Sequence, residues 1–343
     1  MTNTMSDPHL ERIAVLGGGG WGTALAVHLA KLGNDVRLWA RDKTIVAELI
    51  GDRVNRTYLP EIEVPASVKP TADLQQALEG ASCMVAAVPS HGTRDVIRHA
   101  KPFVSSGAVV VSATKGLEVE TLFRMSEVIG QELGPSQPII VLSGPSFSLE
   151  FARGEPTAVA VAGRDEDALA SVQHGFRSAY FRLYATEDVT GVEIGGAMKN
   201  IIAIAAGAVE SLGLGDNVRS ALITRGLAEI SRLAVAVGGR RETLAGLSGL
   251  GDLVLTCTGK LSRNRSVGIQ LGRGRALPEI LAEMRTVAEG VRTTRAALAL
   301  GERHGVELPI TTQMADVLAG RKTPRGAVEE LMLRRQRSEV EAG

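Results

Sequence analysis

The sequence predicts an α/β domain on a doubly wound parallel sheet, residues 10–188, followed by an all-α domain, residues 189–335. Short apolar, β-branched runs alternate with helical stretches as far as Thr186. These runs are continuously apolar, which marks strands buried on both faces and so lying parallel between two helical layers. Beyond Asp188 strand signals nearly vanish and long segments of helical period take over. A chain of 343 residues also exceeds what a single core supports, so two domains are expected.

The strands are read in order as "RIAVLG", "DVRLWA", "CMVAAVPS", "AVVVSATKG", "PIIVLSGPS", "TAVAVAG" and "YFRLYAT". The helical half follows as "VEIGGAMKNIIAIAAGAVESLG", "VRSALITRGLAEISRLAVAVG" and "LPEILAEMRTVAEGVRTTRAALALGERHG", separated by Gly-rich turns. The closing "LMLRRQRSEVEAG" reads as a fraying charged tail.

Lys plus Arg equals Asp plus Glu at 38 each, so no global field draws in nucleic acid or an anionic membrane, and anionic ligands must be met locally. Cys83 and Cys257 form neither a disulfide framework nor a C-x-x-C spacing, and no zinc pattern is present. The lead before Arg12 lacks the apolar region of a secretory signal, and the apolar stretch Ile194 to Val209 is short and broken by Lys199. A soluble cytoplasmic protein without metal or membrane insertion is expected.

Between the first strand and first helix lies "GGGGWG", which fits G-x-G-x-x-G at Gly17, Gly19 and Gly22. In that context Gly17 permits the tight turn, Gly19 the close approach of a pyrophosphate, and Gly22 the packing of helix on strand. The helix N-terminus adds N–H groups and positive dipole, so a Rossmann-type dinucleotide site is expected rather than a bare turn. The second strand ends in Trp39, Ala40 and Arg41 where an NAD site usually carries Asp or Glu, and a guanidinium suits a 2′-phosphate. NADP(H) is favoured; Asp42 beside Arg41 keeps NAD(H) open.

Ligands in such sheets gather at the carboxyl ends of strands, here "VPSHG", "SATKG" and "SGPSF", where Lys115 can meet a phosphate or polarise a carbonyl. Lys199 is the only charge between Glu193 and Glu210, and Gly195, Gly196, Ala203, Ala206 and Gly207 lie on or beside its helical face. That stripped face admits either another helix backbone or a ligand over the ammonium, whose pKa burial would lower toward the range of proton transfer. Further on, Asp252 precedes Ser262, Arg263, Asn264 and Arg265, the equipment for a phosphate monoester or, equally, a charged surface loop. The histidines show no partner at a diagnostic spacing.

In register over residues 12–330, "GGGGWGTALA", "NRTYLP", "VPSH", "SATKGLE", "LSGPSFSLEFARGEPTAVAVA", "GGAMKNIIAIAAG", "GLGDLVLTCTGKLSRNRSVG" and "VAEGVRTT" closely resemble the bacterial-type NAD(P)-dependent glycerol-3-phosphate dehydrogenases. The resemblance implies reversible hydride transfer between sn-glycerol 3-phosphate and dihydroxyacetone phosphate, supplying phospholipid synthesis, in a homodimer. It implies a helical domain like that of 6-phosphogluconate dehydrogenases, with Lys199 as the proton-exchanging catalyst. It further implies substrate contacts at Lys115, Gly144, Ser146, Lys199, Asp252, Ser262, Arg263 and Asn264. Gly20, Trp21, Arg41, Lys115, Ser148, Arg263, Val287 and Glu289 would complete the cofactor site. Gly18 and Gly20 stand where the family often has Ala and Ser, and Ser148 where Ala is common. A ketopantoate-type reductase shares the two-domain plan, but "SRNR" argues for phosphate over carboxylate. A catalytically silent NADP sensor would tolerate loss of Lys199.

Overall fold

The computed structural model describes residues 10–284, 288–335 and 338. The first half contains strands β1 (Arg12–Leu16), β2 (Asp35–Trp39), β3 (Val54–Asn55), β4 (Leu59–Glu63), β5 (Val68–Thr71), β6 (Cys83–Ala86), β7 (Val109–Ser112), β8 (Ile139–Ser143), β9 (Thr157–Ala162) and β10 (Phe181–Thr186). Between them run helices α1 (Gly20–Lys31), α2 (Lys43–Gly51), α3 (Leu74–Leu78), α4 (Ser90–Ala100), α5 (Met125–Leu133), α6 (Ser148–Ala152) and α7 (Glu166–Phe176). Eight strands form one sheet in the order β10-β9-β8-β7-β6-β1-β2-β5, while β3 and β4 make a small antiparallel pair. Ile13, Val15, Met84, Val85, Val110 and Val111 are fully buried between the helical layers, as continuous apolarity requires.

The sheet is mostly parallel, with one reversal: β9 runs antiparallel to β8, and β10 is parallel to β9. Buried strands of either direction show the same apolar run, so composition could not reveal this turn. The edge strand β5, "VKPT", also escaped the pattern because only Val68 and Thr71 are buried.

The second half is helical: α8 (Val189–Ser211), α9 (Asp216–Ala236), α10 (Arg241–Leu244), α11 (Asp252–Thr258), α12 (Arg263–Gly272), α13 (Leu277–Glu283), α14 (Glu289–Arg303), α15 (Pro309–Leu318) and α16 (Pro324–Met332). The segment read as one long helix from Leu277 is two, α13 and α14. The tail reading also overlaps structure, since Leu331 and Met332 still belong to α16.

At 23 residues α8 is longer than its apolar stretch suggested, and long and apolar enough to cross a membrane, yet its apolar window is entirely buried inside the protein. It is the axis of the helical core. Gly207 lets α12 approach so closely that a Cβ there would collide with the Arg265 carbonyl oxygen. Much of the small-residue face therefore admits backbone: Gly195 faces the Ser248 carbonyl at 2.6 Å, measured from an added Cβ. Overpacking such a seam costs about 1–3 kcal/mol. Gly207→Ala is expected to lower the unfolding free energy by that amount in urea denaturation; an unchanged midpoint would mean the helices part freely.

Candidate active site

The glycine-rich loop sits where β1, β2 and β6 end. Gly17 N–H donates to Trp39 O at 2.9 Å, and Ala87 N–H to Leu16 O at 2.8 Å, so the loop is pinned between neighbouring strand ends. Gly17 has φ +131°, open to glycine alone, and a Cβ on it would collide with Ala87 O. A Cβ on Gly22 would strike Gly17 O, whereas Gly19 faces open space. Space at Gly19, closeness at Gly17 and Gly22, and the first turn of α1 behind them fit a dinucleotide pyrophosphate. Buried Asn55, from "NRTYLP", braces the loop by donating to Gly18 O at 2.8 Å and to Thr23 Oγ1 at 2.9 Å.

Around this cradle, Gly20 and Trp21 open α1, and the Trp21 ring packs 5.1 Å from that of Phe151. Ser148 Oγ lies 3.4 Å from where a Cβ on Gly20 would stand. Arg41 follows β2, exposed and unpartnered among the described residues. Asp42 caps α2 by accepting from Thr44 N at 2.8 Å, so that carboxylate already has a structural task. Glu289 accepts from Ser90 N at 3.1 Å and Ser90 Oγ at 2.5 Å, tying the start of α14 to the start of α4. Val287 lies outside the described residues.

Lys199 is not left alone in its helix. Its Nζ donates to Asp252 Oδ1 at 2.5 Å and to Thr256 Oγ1 at 2.8 Å. The other oxygen, Asp252 Oδ2, accepts from Lys115 Nζ at 2.7 Å, and Lys115 also donates to Gly144 O at 2.9 Å. One carboxylate, 1 % exposed, thus bridges an ammonium from α8 and one from the end of β7. Burial pulls the Lys199 pKa down to about 8; Asp252 opposes that fall, and the Lys115 charge adds to it. A five-residue π-helical turn, Leu247–Gly251, delivers Asp252 to this position, as such turns often do at functional sites.

The "SRNR" run divides. Ser262 caps α12 by accepting from Arg265 N at 3.2 Å, and Arg265 turns away to pair with Glu210 at 2.6 Å. Asn264 Oδ1 accepts from Gly290 N and its Nδ2 donates to Asn200 Oδ1, both at 3.0 Å, leaving one amide N–H uncommitted. Arg263 has no partner among the described residues; it is open to solvent yet walled by protein, whose desolvation lowers its pKa while Glu289 raises it. Ser146 Oγ donates to Gly144 O at 3.0 Å, so Gly144 O serves both Ser146 and Lys115. His28, paired with Tyr180 at 2.7 Å and buried among aromatic rings, has a pKa lowered to about 4 and belongs to the core.

Four contributors escaped sequence reasoning: Asn55, Ser90, Asn200 and Thr256. Thr256 was within reach, because residues four apart share a helical face and Asp252 stands one turn before it. The other three act through partners 32 to 199 residues away, which no local pattern reports.

A nucleotide cradle at the carboxyl edge of a Rossmann-type sheet, faced by a buried lysine–carboxylate pair from a helical domain, defines a two-domain nicotinamide-nucleotide-dependent dehydrogenase. The family model described as the N-terminus of NAD-dependent glycerol-3-phosphate dehydrogenase matches residues 12–169, and that of its C-terminus residues 188–329. The chain belongs to the NAD-dependent glycerol-3-phosphate dehydrogenase family. It is 52% identical over 335 residues to the glycerol-3-phosphate dehydrogenase [NAD(P)+] of Koribacter versatilis, covering 96% of this chain and 99% of that one. The crystal structure of glycerol-3-phosphate dehydrogenase from Coxiella burnetii superposes with TM-score 0.91 at 41% identity, covering 94% and 99% of the two chains. A ketopantoate reductase from Ralstonia eutropha, with TM-score 0.59 and 17% identity over 92% of this chain and 99% of its own, shares the fold alone.

Asp252 supplies the counter-charge that keeps the Lys199 pKa from falling further. Asp252→Asn is therefore expected to move the Lys199 titration below about 8, read from the lysine Cε resonance against pH; a pKa that stays or rises would remove Asp252 from that role.

Proposed function

We propose that the protein interconverts sn-glycerol 3-phosphate and dihydroxyacetone phosphate with NADP(H) in preference to NAD(H). The observation carrying this reading is the Lys199–Asp252–Lys115 constellation at the carboxyl ends of the strands, together with Arg263, which has no hydrogen-bond or ion-pair partner among the described residues. Gly17, Gly19, Gly20, Trp21 and Gly22 hold the pyrophosphate, with Ser148, Arg263 and Glu289 around the rest of the dinucleotide. A nicotinamide nucleotide held there would supply the hydride in reduction and accept it in oxidation. Lys199, as the neutral amine, takes the proton of the substrate C2 hydroxyl during oxidation; as ammonium it returns a proton to the carbonyl oxygen during reduction. Lys115 polarises that oxygen, Asp252 orients both lysines, and Gly144 and Ser146 line the same pocket. Arg263, the free amide N–H of Asn264 and the first-turn N–H groups of α12 beyond Ser262 anchor the phosphate.

NADP(H) is preferred because Arg41 offers a guanidinium without a partner among the described residues, while Asp42 is occupied capping α2. The cellular reading is a cytoplasmic homodimer that supplies glycerol 3-phosphate for phospholipid synthesis, and it rests on the family. Its assay follows NADPH or NADH oxidation with dihydroxyacetone phosphate against a carboxylate ketone such as ketopantoate. Turnover of the carboxylate ketone instead would overturn the substrate.

Lys199→Ala is expected to retain NADPH binding by fluorescence while kcat drops ~10²–10⁴-fold, the range of general acid–base groups; near-normal turnover would remove its role. Because the amine is the base, the oxidation rate rises with pH through about 8, and because the ammonium is the acid, the reduction rate falls over the same interval. Profiles sloping the same way in both directions would contradict that assignment.

A further inference from the structure

Three side chains at the rim of the cradle have no task in the scheme above or share only part of one. Arg41 follows β2, His91 is the second residue of α4, and Arg292 lies in the first turns of α14. All three are exposed, and none has a hydrogen-bond or ion-pair partner among the described residues. The strand ends that carry Arg41 and His91 flank the glycine-rich loop on opposite sides, as the Gly17–Trp39 and Ala87–Leu16 hydrogen bonds fix. The helical domain reaches the same place through Glu289, whose carboxylate is bonded to Ser90 N and Oγ, immediately before His91. Residues three apart share a helical face, so Arg292 stands on the face of α14 that Glu289 turns toward α4.

The electrostatics agree with that placement. The His91 pKa is lowered first by desolvation and then by Arg292, Glu289 opposes the fall, and Arg41 acts in the same direction as Arg292, so both guanidiniums bear on the same rim. Glu289, the carboxylate that opposes them, already accepts two hydrogen bonds from Ser90. Two exposed guanidiniums at one rim, without a hydrogen-bond or ion-pair acceptor of their own among the described residues, are free to meet an anion there.

We propose that Arg292 is a second guanidinium for the 2′-phosphate of NADP(H), acting with Arg41 so that the adenosine end is held from both domains. The inference rests on the NADP(H) preference proposed above.

The test is calorimetric titration of the full-length protein with adenosine 2′,5′-bisphosphate and, separately, adenosine 5′-monophosphate. Arg41→Ala and Arg292→Ala are each expected to weaken the bisphosphate about tenfold or more, and the monophosphate less than threefold, because each removes a charge-assisted contact to the extra phosphate alone. Arg292→Lys is expected to recover part of the loss. If Arg41→Ala discriminates between the ligands and Arg292→Ala does not, the inference fails while the NADP(H) reading stands. If neither discriminates, both fail. Equal weakening of the two ligands by Arg292→Ala makes it a wall of the cleft and also overturns the inference. Arg292 is exposed, so unchanged thermal unfolding of the variant serves as the control for folding.

Discussion

A single buried carboxylate holds the two halves of the site together. Asp252 places one oxygen on Lys199 and the other on Lys115, and therefore joins the core helix α8 to the loop that follows strand β7. Desolvating one anion and an ammonium is expensive, and the attraction between them offsets the cost only with good geometry and further hydrogen bonds. Thr256 Oγ1 and Gly144 O supply those bonds. Burial is what brings the Lys199 pKa down to about 8, with the Lys115 charge adding to it and Asp252 opposing it, and two ammoniums against one carboxylate leave attraction for an anionic or electron-rich ligand.

That clamp needs the domains to stay in register, and two further ties fix them. Glu193, buried on α8, accepts from Ser126 N at 2.8 Å, Ser126 Oγ at 2.6 Å and Arg124 at 2.7 Å, which secures the start of α5. The segment between Lys115 and α5 meanwhile sends Leu117 into the helical core, and Arg94 holds Glu118 from α4 at 2.6 Å. Lys115 is thus mounted on a strap anchored at both ends, and its ammonium has little freedom to leave Asp252. The Glu289–Ser90 tie closes the other side of the crevice.

What was legible in the sequence follows from the range of the interaction concerned. Strands, the glycine fingerprint and the isolation of Lys199 are written in contiguous residues and were readable. Its partner was not, because Asp252 lies 53 residues on, and only tertiary packing brings α11 beside α8. The same limit applies to "SRNR", where four adjacent polar residues looked like one cluster. A helix turns about 100° per residue, so Arg263 and Arg265 diverge, one into the cleft and the other to Glu210. Strand direction in β9 and the interruption between α13 and α14 leave no mark on an apolar pattern.

The small residues of α8 had two rival readings, packing or a ligand, and the structure makes them two consequences of one constraint. Gly207 and Gly195 let α12 and the π-helical turn before α11 come within backbone contact of α8. Those same two elements carry the site: α12 begins at Arg263 and Asn264, and the turn leads into Asp252. Bulk on that face of α8 would push both outward and separate the carboxylate from Lys199. The departures in the cradle follow a similar logic of near neighbours. Gly20 carries no side-chain hydroxyl, yet a Cβ there would stand 3.4 Å from Ser148 Oγ, so α6 offers a hydroxyl beside the loop. The polar groups of the crevice are thus brought together in space by residues far apart in the chain.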